Sequence, residues 1–221
     1  MLIHSASQLL VMTAQPQRGD QLGTLNIIAD GAVLVRDGLI TETGASADLR
    51  ARFPGEEALD AGGRVVMPAF VDAHTHLVWA GSRAAEFEMR LQGKTYMEIM
   101  AAGGGIQSTV NATRAASREE LLSQTCARAR EILRHGTTTA EAKTGYGLDL
   151  ESELKQLDVL LALDGEGPLE ILPTFLGAHV IPAEFKDRPD DYVGLLCVEM
   201  LPAVKRWWGE RAAERPLPFV D

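Results

Sequence analysis

Cysteine is nearly absent. The 221 residues contain two, Cys126 and Cys197, far apart and outside any Cys-x-x-Cys spacing. That argues against a disulfide framework and suits a reducing, cytoplasmic setting. No stretch reaches about 18 consecutive apolar residues, so no membrane span is expected. The first twenty residues lack a basic start and a long apolar core, which argues against a signal peptide. Positive charge is in deficit, with 21 Lys and Arg against 31 Asp and Glu and a net charge of −10. A nucleic-acid surface needs clustered Lys and Arg, and an anionic membrane attracts them, so neither partner is expected. Gly-x-Ser-x-Gly is missing, which leaves a serine-hydrolase elbow without support. Gly93-Lys94-Thr95 looks like the tail of a phosphate-binding loop, but Glu88 stands where that loop needs glycine. No internal repeat or low-complexity segment stands out.

What is present reads as a globular α/β chain. Hydrophobic residues make up 46%, ordinary for a packed domain, and the length allows one large domain or two small ones. Residues 1–66 read as a small β-rich, sandwich-like domain. Runs at 22–28, 32–35 and 39–43 are separated by Asp30-Gly31 and Asp37-Gly38, each a hairpin signal. Residues 46–53 suit a short helix or a loop. From residue 67 to 221 the pattern becomes strand–helix alternation. A strand over Val65–Val71 leads to a long glycine-containing stretch, 80–116. Ser117 and Glu120 then form a capping box opening a helix that Gly136 closes. A strand over 137–143, a helix after Asp149 stopped by Gly165 and Gly167-Pro168, and a strand over 169–176 follow. A third helix starts near Pro189 and is kinked near Pro202, and residues 219–221 could open another strand. Repeated strand–helix units predict a parallel sheet, an incomplete (β/α)8 TIM-type barrel with about three βα units.

The densest chemical signal is Asp72-Ala73-His74-Thr75-His76. Strand side chains alternate with period two, so His74 and His76 face one side and can share a divalent metal ion. Such an ion makes a nucleophile of water at neutral pH. Asp72 shares their parity and could be a ligand or a hydrogen-bond partner of one. A His-x-His pair alone is weak evidence, because surface and core pairs also occur. In barrels of this kind, catalytic groups gather at the C-terminal ends of strands, where His74, His76, Tyr146 and His179 all fall. Arg83 could pair with a substrate carboxylate or, equally, with Glu86 or Glu88. Tyr146, flanked by glycines, is poorly placed for core packing and suits a ligand contact. His179 could be a general acid or base, a substrate donor, or a buried histidine. Gly103-Gly104-Gly105 could form an anion-binding nest, though a turn is the simpler reading. His135, at a helix C-terminus, reads as structural, and His4 carries no signal.

Pro68-Ala69-Phe70-Val71-Asp72-Ala73-His74-Thr75-His76-Leu77 resembles the first metal motif of the amidohydrolase superfamily. Several further stretches narrow the resemblance to the imidazolonepropionase family: Gly81-Ser82-Arg83 through Glu88, Leu91 through Tyr96, Gly103-Gly104-Gly105-Ile106, Thr113-Arg114, Lys143 through Leu148 and Pro173 through His179. The likeness runs from about residue 60 to the C-terminus, with Ala69 replacing a glycine usual in the family. It implies a hydrolase of histidine degradation, cytosolic, that opens the ring of 4-imidazolone-5-propanoate with water to give N-formimidoyl-L-glutamate. It implies one zinc or iron ion, with His74 and His76 as ligands, and Arg83, Tyr146 and His179 as substrate-binding residues. It also implies that the sequence corresponds to the N-terminal half. The family's metal histidine of the fifth strand and aspartate of the eighth have no counterpart here, so no catalytic residue is assigned. Little activity is expected of the chain alone, with a homodimer or a complementing C-terminal chain as its partner. The competing readings are another cyclic amidohydrolase, hydantoinase- or deaminase-like, and a non-catalytic remnant or split subunit.

Overall fold

Alternating apolar residues build the first unit, Met1–Ala69, in the computed structural model, which describes residues 1–12, 15–167 and 169–221. Strand β1 (Leu2–Val11) pairs antiparallel with β2 (Asn26–Arg36), and β2 pairs with β3 (Leu39–Ala45). The short strands β4 (Ala58–Asp60) and β5 (Val65–Val66) add to β1 in parallel. Helix α1 (Ser46–Arg52) lies within residues expected to be a helix or a loop. Side chains of β2 divide by parity: Ala32 and Leu34 pack with Leu2 and with Leu49 of α1, while Val33 packs with Ala6 and Leu9.

The two Asp-Gly signals separate here. Asp37-Gly38 makes the β2–β3 turn, with φ of +51° and +76°, the conformation a tight two-residue hairpin demands. Asp30-Gly31 makes no turn; it lies inside one strand, β2, which takes in residues 26–28 of the run before it and the run after it, while residues 22–25 precede the strand. Asp30 has φ +45° and Ser5, on β1, +58°, and the ladder shifts register between Ile3 and Ala6, a bulge. Glycine is needed at 31 because a Cβ there would lie 2.4 Å from the Leu9 Cβ. The buried Ser46 hydroxyl accepts the Ser5 N–H and donates to the Gly31 carbonyl, both at 2.9 Å, which pairs the backbone groups of the bulge.

The expected strand over 65–71 is two strands. β5 ends at Val66, and Pro68, which lacks an N–H, cannot carry a ladder onward. The second unit, Phe70–Asp221, starts with β6 (Phe70–Thr75), which is largely exposed rather than buried. β6, β7 (Thr137–Lys143), β8 (Glu170–Phe175) and β9 (Phe219–Val220) form one parallel sheet in chain order. Parallel neighbours need long crossovers. That between β6 and β7 holds helices α2 (Ala84–Leu91), α3 (Tyr96–Ala101), α4 (Ile106–Ala115) and α5 (Arg118–Arg134). Helix α6 (Leu150–Glu166) joins β7 to β8. After β8, α7 (Pro189–Leu195) runs through a π-helical turn at Leu196–Met200 into α8 (Leu201–Arg211). The kink expected at Pro202 is taken up by that wider turn just before it.

Helices α2 to α4 fall in the stretch that the sequence left without structure. Each is short, and Gly93 and Gly103, both at φ +82°, close the first two. The Ser117–Glu120 capping box opens α5 as expected, and a second box, Thr95 with Glu98, opens α3. Gly165 lies within α6 and Gly167 caps it, while Pro168 lies outside the described residues. Leu160, Val159 and Leu163 of α6 pack with Ala140 and Ala142 of β7 and Leu121 of α5. Leu157, Phe175, Tyr192, Met200 and Trp208 make a second apolar cluster.

Candidate active site

The site is built where the sheet's strands end. His74 is the fifth residue of β6 and His76 follows its last residue. Tyr146 lies in the turn after β7, and His179 follows β8. The structure brings these four together. His76 and His179 stack with ring centroids 4.7 Å apart and planes 15° apart. The Tyr146 ring lies 5.0 Å from His76 and 5.3 Å from His179, and His74 lies 5.8 Å from His76. Asp72 is exposed, and its carboxylate accepts the His74 backbone N–H at 3.2 Å.

Arg83 takes the salt bridge that competes with a ligand role. Its Nε and Nη2 donate to Glu86 Oε2 at 2.9 and 2.7 Å. The other Glu86 oxygen accepts the Gly105 N–H at 2.9 Å. One buried carboxylate therefore ties Arg83 to the glycine-rich turn, and Arg83 holds that carboxyl below the usual range while burial opposes it. The amides of 103–105 serve the protein itself, Gly103 and Gly104 donating to Met100 and Ile99 carbonyls. This is the turn reading, not the nest. Burial pushes the Tyr146 phenol up and the Arg83 cation acts on it in the opposite sense, so Tyr146 stays a proton donor at neutral pH.

Three groups at this site had not been singled out. Lys143, the last residue of β7, is buried and donates to Glu141 and Asp221, both at 2.7 Å. Its two partners raise its proton affinity against burial. Thr174 donates to the same Glu141 oxygen at 2.6 Å. Glu141 and Lys143 alternate on a strand whose neighbouring residues are apolar or Thr, and that parity was the available signal. The third, Glu153, lies completely buried in the first turn of α6. His135 pairs with Glu131 on the surface.

His76 is the most perturbed of the imidazoles. Burial, then the neighbouring His179 and His74, push it down from 6.5 to about 4, Lys143 adds to this, and a backbone hydrogen bond at Thr144 opposes it. Its Nδ1 is buried with no partner among the described residues. The folded chain thus keeps His76 neutral between about pH 4 and 6.5 while the unfolded chain takes up a proton. Stability is full above pH 6.5 and is lost as pH falls through that window. In metal-free chain, the urea midpoint should drop between pH 7.5 and 5, and His76→Asn should flatten the drop. Equal slopes for the two proteins would remove His76 as the source.

A His76 ring kept neutral by burial, with an unpartnered buried nitrogen and His74 beside it, fits metal ligation. The donor set is incomplete, because among the described residues no group of three or more His, Cys, Asp or Glu is arranged so that it could hold a metal ion.

Two family models match the chain: one described as imidazolonepropionase-like composite domain, bacteria, over residues 31–55, and one described as amidohydrolase family over residues 57–106. Imidazolonepropionase of Chloroflexus aggregans is 48% identical over 225 residues, covering 100% of this chain and 53% of the relative. That of Herpetosiphon aurantiacus is 49% identical, covering 95% of this chain and 49% of the relative. Among solved structures, Helicobacter pylori aminofutalosine deaminase aligns with TM-score 0.54 and 18% identity over 99% of this chain and 42% of its own, a likeness of fold alone. No described helix is long and apolar enough to cross a membrane. By sequence the chain is similar to imidazolonepropionases over its whole length, and it spans about half the length of the curated relatives it matches.

Proposed function

We propose that this chain supplies one part of an imidazolonepropionase, which opens the cyclic amide of 4-imidazolone-5-propanoate with water to give N-formimidoyl-L-glutamate. The observation that carries the reading is the convergence of His74, His76, Tyr146 and His179 at one end of β6, β7 and β8. The β6–β9 sheet is read as part of a (β/α)8 barrel, with residues 67–221 as the barrel part and 1–66 as the small β-rich domain. His74 and His76 would hold a zinc or iron ion, which when bound polarises the ring carbonyl and activates water. The further ligands such an ion needs would come from a complementing polypeptide. Arg83, with Nη1 outside its bonds to Glu86, suits the propanoate carboxylate. Tyr146 supplies a phenolic donor and His179 a ring nitrogen to the polar atoms of the ring.

The test is turnover of 4-imidazolone-5-propanoate with added zinc. The purified chain is assayed alone and mixed with the remaining half of the Chloroflexus aggregans relative as a separate polypeptide. Turnover is expected only in the mixture, and His76→Ala should lower it on the order of 100-fold or more. A mixture that assembles but hydrolyses only other cyclic amides or amines would overturn the reading.

A further inference from the structure

We propose that Glu153 is a positioning residue of the site: its buried carboxylate clamps the Gly145–Leu148 turn, and through it sets the place of Tyr146 and the tautomer of His179. The second half of that statement matters for function only if Tyr146 and His179 contact substrate, as proposed above; the clamp itself does not depend on it.

The carboxylate is surrounded by donors. Glu153 Oε1 accepts the N–H groups of Gly147 and Leu148, each at 2.8 Å. The Gly145 N–H lies 3.2 and 3.1 Å from the two oxygens. The Gln156 amide reaches Oε1 at 3.3 Å, and Thr144 adds a side-chain hydrogen bond. Burial pushes the Glu153 carboxyl up and these donors act against it; with no counter-cation among the described residues, a set of charge-assisted bonds is what offsets the loss of water for the ionised form. A helix needs nothing of this kind here, since Asp149 already caps α6 by accepting the Ser152 N–H at 2.8 Å. The bonds go instead to the turn that carries Tyr146.

That turn does not hold its shape by itself. Leu148 sits at φ +59°, a left-handed conformation that costs leucine roughly 1–2 kcal/mol. Its N–H ends on Glu153, and its carbonyl lies 3.2 Å from the Tyr192 hydroxyl, whose one proton also faces the Gly177 carbonyl at 2.6 Å. Gly147 is packed so closely that a Cβ would lie 2.7 Å from the Glu153 backbone nitrogen. Tyr146 is thus held between two pinned neighbours.

Gly145 extends the clamp to His179 through the two peptide groups that flank its Cα. Its N–H points to Glu153, and its carbonyl lies 2.9 Å from His179 Nδ1. A carbonyl only accepts, so Nδ1 must carry the proton. In the neutral ring that leaves Nε2 as an acceptor. A shift of the Gly145 backbone would release this constraint and the stacking of His179 on His76 with it.

The test is NMR of the 221-residue chain labelled with 13C and 15N. In the unsubstituted protein, hydrogen-bond couplings should link the Gly147 and Leu148 amides to the Glu153 carboxyl carbon, and His179 should show a single tautomer with the proton on Nδ1. Glu153→Gln places an NH2 among N–H donors, so it should move the Gly145, Gly147 and Leu148 amides and turn His179 into a tautomer mixture. Glu151→Gln, on the exposed side of the same helical turn, should move neither. In the complemented assembly, Glu153→Gln should raise KM about 10-fold, the scale of losing an outer-shell partner. A folded Glu153→Gln chain with unchanged amides and tautomer overturns the proposal. If that variant fails to fold, absent couplings or an Nε2-protonated His179 in the unsubstituted chain overturn it equally. A clamp without turnover of the imidazolone counts against the proposed function alone, and turnover without a clamp counts against Glu153 alone.

Discussion

Replacing Gly145 with alanine is expected to destabilise the chain by about 2–6 kcal/mol and to expel His179 from its place. Two costs combine. Gly145 sits at φ +108°, a region that L side chains avoid at a cost of about 1–3 kcal/mol. The added methyl would also lie 2.8 Å from His179 Cβ, 2.9 Å from its Nδ1 and 2.9 Å from the Leu176 carbonyl. Overpacking of this kind costs a further ~1–3 kcal/mol. Gly103→Ala separates the two effects, because Gly103 has φ +82° but nothing within 4 Å of its Cβ position. Urea unfolding should show the Gly103 variant losing only the backbone cost. If Gly145→Ala is no worse than Gly103→Ala, then His179 yields freely and its contact with the Gly145 carbonyl does not fix it.

The same residues show how far the sequence could be read. His74, His76, Tyr146 and His179 were each placed beyond a strand by alternation and glycine punctuation, and strand order then brings them together. Lys143 and Glu153 were missed for one reason. A buried ion is recognisable by its partners: Glu141, two positions from Lys143, is legible by parity, but Asp221 lies 78 positions away, and the amides on Glu153 carry no residue identity. Arg83 was left between substrate and Glu86, and geometry gives Glu86 two of its donors. Asp30-Gly31 misled because the dipeptide reports a left-handed backbone, which a bulge needs as much as a turn does. Helices α2 to α4 were lost among glycines, although the Thr95–Glu98 box was in plain view. The break at Pro68 is hidden in the sequence by apolar residues on both sides of it.

Trp208 offers the sharpest test of packing in the second unit. Its ring is buried with Tyr192, Met200 and Phe175, and truncation to alanine should cost about 3–5 kcal/mol. Its indole Nε1 is buried without a partner among the described residues. A buried, unpaired donor carries a penalty of about 1–3 kcal/mol. Trp208→Phe removes that donor while keeping most of the apolar surface. The lost ring area and the relieved penalty then act in opposite directions, and the net change should fall within about 1 kcal/mol of zero, far from the alanine result. Urea unfolding of both variants, followed by circular dichroism because the fluorophore is changed, decides the matter. A phenylalanine variant that loses nearly as much as alanine would mean that the indole N–H is satisfied in solution, and that the site of Trp208 is wetter and less tightly packed than the apolar cluster around it implies.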